Sequence, residues 1–92
     1  MYTYDELWKA LLAKGLYWVG GGDHRKASLY LDGRQIPIWT VVSHKRGDVP
    51  AGLRSRIARE LKMPNADYLR RFVECEVSGE DYIAMLRESG VI

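Results

Sequence analysis

One cysteine, three prolines, one phenylalanine and no long apolar run bound what this chain of 92 residues can be. A solitary Cys75 excludes an intrachain disulfide and any zinc site of the CxxC type. It lies between Glu74 and Glu76, where negative charge disfavours a thiolate, and reads as a small core or surface residue. Only two histidines are present, His24 and His44, with no recurrent metal-ligand spacing between them. No metal and no cofactor are therefore expected. No Ser-His-Asp or Cys-His nucleophile arrangement is visible. A membrane span needs about 20 apolar residues, and none is found, so no membrane partner is expected. With no signal-peptide pattern either, the expected compartment is the cytoplasm. Internal repeats, low-complexity tracts and long linkers are also missing, which leaves one small domain.

What is present is segregated charge. The net charge is only +2. From His24 to Arg71, however, eleven Lys and Arg stand against four Asp and Glu. From Phe72 to Ile92 one cation stands against five carboxylates. A basic middle attracts polyanions and speeds their encounter. The acidic end either keeps the protein soluble or competes with RNA for the basic surface.

The order of elements follows from capping, periodicity and turn chemistry. Thr3-Tyr4-Asp5-Glu6 is a capping box, and Tyr4, Leu7, Trp8, Leu11 and Leu12 follow at helical spacing until Gly15. Leu16 to Val19 is a short strand. Lys26 to Leu31 and Arg34 to Val42 form a hairpin over Asp32-Gly33, a dipeptide suited to a type I′ turn. Pro37 places the third strand on an edge or in a bulge. After a polar loop from Ser43 to Val49, Pro50 starts a helix to Leu61. Its residues Leu53, Ile57 and Leu61 face inward, while Arg56, Arg59 and Lys62 face out. Asn65 and Ser78 cap two further short helices. The expected fold class is α+β: an α-β-β-β-α sandwich of the double-stranded-RNA-binding type with two additional short C-terminal helices.

The stretch richest in chemistry is Gly20-Gly21-Gly22-Asp23-His24-Arg25-Lys26. Three glycines let the backbone turn sharply and expose its amides. An imidazole ordinarily titrates at about 6.5, which suits proton transfer near neutral pH. Arg25 and Lys26 beside it suit an anionic partner such as a phosphodiester. A bare hairpin loop carrying a surface histidine is the plainer alternative.

Four segments together resemble the HicA family of mRNA interferase toxins. They are Gly22-Asp23-His24-Arg25-Lys26, Asp32-Gly33-Arg34, Val42-Ser43-His44, and Ala51 to Leu61 with its Leu53-Arg54 start. The resemblance spans about residues 4 to 64. It implies a HicA-like core over residues 1–64, with residues 65–92 a helical extension packed on the same domain. It further implies a double-stranded-RNA-binding-like fold, metal-independent endonucleolytic cleavage of RNA, and an antitoxin protein as a possible partner. The family's catalytic histidine falls on His24. In such chemistry His24 moves a proton, and His44 is the natural second carrier if the fold brings the two loops together. Arg25, Lys26, Arg34, Lys45, Arg46 and Arg54 are the expected RNA-binding cations. The family usually has Ser or Asn where this chain has Asp23.

Two other functions stay open on the same fold: a non-catalytic RNA-binding module and a protein-interaction module. Tyr17, Trp18, Tyr30 and Trp39 lie on strands. They are expected in the core, because so small a domain needs its large side chains inside. If they face outward they can stack on bases. On the third strand Ile36, Ile38 and Thr40 share one face, and Pro37, Trp39 and Val41 the other. An apolar outer face there would invite a partner, whether an antitoxin or a second copy of this chain.

Overall fold

The computed structural model describes residues 2–20, 22 and 24–92. Along the chain run α1 (Tyr4–Ala13), β1 (Leu16–Gly20), β2 (His24–Leu31), β3 (Arg34–Ser43), α2 (Ala51–Glu60), α3 (Ala66–Val73) and α4 (Gly79–Glu88). The protein is α+β, with a three-stranded antiparallel sheet in the order β1-β2-β3 and these four helices. Among the described residues no helix is long and apolar enough to cross a membrane.

Local chemistry sets each boundary. At α1 the Thr3 hydroxyl accepts the Glu6 N–H at 3.1 Å, and the Glu6 carboxylate accepts the Thr3 N–H at 2.9 Å. Tyr4, Leu7, Trp8 and Leu11 are buried as the spacing predicts, whereas Leu12 faces solvent. Asp32 and Gly33 both take positive φ, 54° and 77°, as a type I′ turn demands. Pro37 sits on the edge strand and inside a bulge. Ser28 pairs with Trp39 and Tyr30 with Gln35, so Ile36, Pro37 and Ile38 oppose Leu29 alone. The buried Ser28 Oγ fills that irregularity, 3.1 Å from the Ile36 carbonyl and 3.3 Å from that of Ile38.

One hydrophobic core lies between the sheet and the helices. Leu16, Ala27, Leu29, Ile38 and Val42 point into it and meet Leu7 and Leu11 of α1 and Ile57 of α2. The C-terminal extension belongs to the same core through Leu69, Phe72, Val77, Tyr82 and Leu86. Polar ties fasten it. The Lys14 ammonium donates to the carbonyls of Phe72 and Val77 and lies over the Phe72 ring. Tyr82 Oη donates to the Leu61 carbonyl at 2.6 Å, and burial raises that phenol's pKa well above its usual value. At Gly79 an added Cβ would lie 3.1 Å from the Lys14 carbonyl oxygen, so α4 begins in close contact with the end of α1.

The opposite face of the sheet has no helix over it. Tyr17 is 59% exposed and Trp39 44% exposed. This corrects the expectation that the strand aromatics are core: with every helix on one side, outward-pointing residues have nothing to pack against. Trp18 is 61% exposed for a different reason. It pairs with Ala27 at the rim of the sheet, where its ring packs nearly at right angles to Trp8, centroid to centroid 6.0 Å, and its indole N–H donates to the Gly20 carbonyl at 3.0 Å.

Candidate functional site

His24 stands on a strand rather than in a loop. It is the first residue of β2 and pairs with Ser43, the last residue of β3. The strand reaches further toward the glycines than the apolar pattern suggests, because β3 continues to Ser43 and offers a partner. On the other side β1 extends to Gly20, which pairs with Lys26 across a bulge. The side chain of His24 is exposed, but its backbone is held by the ladder. Asp23, the departure from the HicA pattern, lies outside the described residues.

A cleft of about 270 Å³ opens beside His24 at the β3 edge. Tyr4, His24, Val41, Ser43, Lys45, Leu53, Arg56 and Glu60 line it. Three segments therefore bring polar side chains to one place: β2 contributes His24, the turn after β3 contributes Lys45, and α2 contributes Arg56 and Glu60. The Lys45 turn is shaped by its own N–H donating to Ser43 Oγ at 3.1 Å. Backbone bonds from Tyr4 to the Gly47 carbonyl and from Val49 to the Tyr2 carbonyl tie the rest of that loop to the start of the chain. Glu60 accepts the Thr40 hydroxyl at 2.8 Å and pairs with Arg56 at 3.5 Å. Among the described residues it is the only carboxylate lining the cleft.

The expected cations divide. Lys45 is in the cleft. Lys26 is on the outward sheet face, its ammonium 4.1 Å from the centroid of the Trp39 ring. Arg25 points the other way and is only 8% exposed. Its guanidinium stacks over Trp8 at 5.0 Å and donates to the Ser43 carbonyl at 2.8 Å and to Asp5 at 3.2 Å. It is bound into the fold, with little surface left to offer RNA. Arg34 lies beyond the hairpin turn, at the far end of β3 from Ser43. Arg54 donates to the Val49 carbonyl at 3.0 Å and lines a separate depression with Tyr2 and Arg70. His44 and Arg46 are exposed on the loop after β3 and do not line the cleft.

No family model, no curated protein and no solved structure matches the chain. The site has to be read from its own chemistry. Among the described residues no group of three or more His, Cys, Asp or Glu side chains is placed to hold a metal ion.

Sequence reasoning placed Arg56 on an outward, cation-presenting helix face able to track phosphates, but it passed over Glu60 and Tyr4 as site residues. The signal that was there is the i,i+4 spacing of Arg56 and Glu60, which puts a cation and a carboxylate on one helix face. The extension's carboxylates do not reach the site. Arg70 collects Asp67, Glu74 and Glu76 at 3.0 to 3.1 Å, and Arg71 adds a contact to Glu76. Two of the five carboxylates of the acidic end, Glu74 and Glu76, are therefore held by Arg70 and Arg71 inside the extension.

Proposed function

We propose that this protein is a HicA-like endoribonuclease on a double-stranded-RNA-binding-like fold, an mRNA interferase whose activity an antitoxin partner restrains. The observation that carries the reading is the convergence of His24, Lys45 and Arg56 in one cleft from three separate segments. Cleavage of RNA through its 2′-hydroxyl needs one proton removed from that hydroxyl and one delivered to the departing 5′-oxygen. It also needs positive charge beside the pentacoordinate phosphorus. His24 supplies a proton carrier. Lys45 and Arg56 supply the charge, with Arg56 oriented by its contact to Glu60. Glu60 is the carboxylate available for the other proton. In this reading it takes the part that His44 would hold if the two histidines met.

The test is an RNA-cleavage time course in excess EDTA with wild type and His24→Ala. Loss of about 10²–10⁴-fold in rate on substitution is expected. Because His24 is exposed at a strand end, the variant keeps its fold, which circular dichroism checks. Equal cleavage by both proteins sinks the assignment of His24. No cleavage by either, with RNA still bound, favours the non-catalytic RNA-binding module. The outward aromatics of the sheet also suit that second reading.

A further inference from the structure

The outward face of the sheet carries a row of side chains that the cleft does not use. Across the three strands Tyr17, Ser28 and Trp39 stand directly opposite one another. Neighbouring strands are about 4.8 Å apart, so the two aromatic residues are separated by roughly 10 Å. Tyr30, beside them, is propped edge-on by Tyr17 with ring centroids 5.2 Å apart. Along β2 the same face continues from Ser28 to Lys26 and then to His24, by the period-2 alternation of a strand. No residue of β1, β2 or β3 is acidic. The face is aromatic and basic, and it ends at His24.

We infer that this face is a stacking platform for single-stranded RNA that delivers the strand to His24, an inference that rests on the RNA-cleaving reading above. Charge complementarity selects a polyanion: the face offers the Lys26 ammonium, with the His24 imidazole beyond it, and no carboxylate from any strand. The aromatics then select the form of that polyanion. In a duplex the bases are stacked on one another and present no free π-face. A single strand presents one at every nucleotide, and a sheet of this kind can stack two or three. Lys26 holds the place of a ligand in the free protein, its ammonium against the Trp39 ring. A base arriving on Trp39 displaces it, and the released ammonium pairs with the phosphate of the incoming strand. The exposure of Tyr17 and Trp39 is then a property of the binding surface and not a packing fault.

The experiment is a titration with a fluorescently labelled, unstructured RNA bearing 2′-O-methyl riboses, which cannot be cleaved through the 2′-hydroxyl. A duplex of the same sequence is titrated in parallel. Trp39→Ala and Tyr17→Ala are each expected to weaken single-strand binding by roughly 5- to 100-fold, the loss of one stacked base. Trp39→Phe is expected to restore most of it, and melting temperatures should stay within a few degrees of wild type. The duplex should bind more weakly than the single strand and respond little to either substitution. Wild-type binding that neither alanine variant changes overturns the platform while leaving the RNA reading standing. A wild-type dimer, by sedimentation, that Trp39→Ala converts to a monomer overturns it in favour of a second copy as the occupant. If wild type binds neither RNA at low salt, the RNA reading itself falls and the platform with it.

Discussion

Arg25 and Lys26 are neighbours in the chain and opposites in the fold. Both are cations on β2, three and four residues beyond Gly22, and by residue type alone they look like one phosphate-binding pair. The pleat sends Arg25 inward, where it is stacked on Trp8 and bonded to the Ser43 carbonyl. It sends Lys26 outward, over Trp39. The same alternation separates Leu29, in the core, from the half-buried Tyr30 on the other face. For these two cations, parity of position on β2 and not residue type decides which is bound into the fold and which is left to meet a ligand.

The strongest way to break that division is to attack the inward side. Leu29→Ala removes a fully buried side chain from the middle strand and should cost about 2–5 kcal/mol. Phe72→Ala should cost about 3–5 kcal/mol, because the extension shares the core instead of resting on it. Chemical denaturation of both variants checks this. Loss of less than about 1 kcal/mol for Phe72→Ala would mean that the extension is an appendage.

Arg25→Ala and Lys26→Ala sharpen the comparison directly. Arg25→Ala should lower stability by about 1–3 kcal/mol, through the lost bond to the Ser43 carbonyl and the lost packing on Trp8. Its ion pair with the largely exposed Asp5 adds little to that figure. Lys26→Ala should shift stability by no more than about 0.5 kcal/mol. Its effect belongs in RNA binding, where the slope of log K against log salt should fall by about 0.7 for one lost phosphate contact on a single strand. Should Arg25→Ala lower the salt slope and Lys26→Ala leave it alone, the two faces have been assigned the wrong way round.

Tyr82→Phe is a smaller change inside the core. It deletes one hydroxyl and leaves the Leu61 carbonyl without its 2.6 Å donor. A loss of about 1–3 kcal/mol in denaturant unfolding is expected. A neutral result would show that water reaches that carbonyl when the hydroxyl is gone.

Much of the framework was legible before the structure because its signals are local. A capping box needs four consecutive residues, a type I′ turn two, an edge proline one. Thr3 with Glu6, Asp32 with Gly33, and Pro37 all behave as their local chemistry requires. What stayed hidden depends on which layer covers which face. Alternation placed Trp39 opposite Ile38 in facing, but nothing local says that the helices gather on Ile38's side and leave Trp39 in water. The burial of Arg25 was hidden for the same reason: its partners, Trp8 and Asp5 of α1 and Ser43 at the end of β3, are remote in sequence. Arg56 and Glu60 sat on what reads as an ordinary solvated helix face. They became part of a site only because α2 runs beside the β3 edge, where Thr40 meets Glu60.

The smallest expected effect asks whether the extension and the rest of the fold unfold together. Each of α1 and α4 begins with a capping box whose carboxylate accepts the N-cap N–H. That bond from the Thr3 backbone holds the Glu6 pKa below its ordinary 4.5, with the Thr3 hydroxyl adding to it. The Ser78 backbone and hydroxyl do the same for Asp81, below its ordinary 3.8. A carboxyl whose pKa is lowered by folding stabilises the native state above its unfolded value, and that stabilisation is lost as pH falls through the folded value. Both contributions should thus be complete at neutral pH and fade in acid. Glu6→Gln and Asp81→Asn should each flatten the acid limb of a melting-temperature profile and change little of its shape above about pH 6. If the extension is part of one cooperative unit, both variants move the same single transition. A second transition that responds to Asp81→Asn and ignores Glu6→Gln would show that α4 melts separately, in spite of Tyr82, Lys14 and the close contact at Gly79.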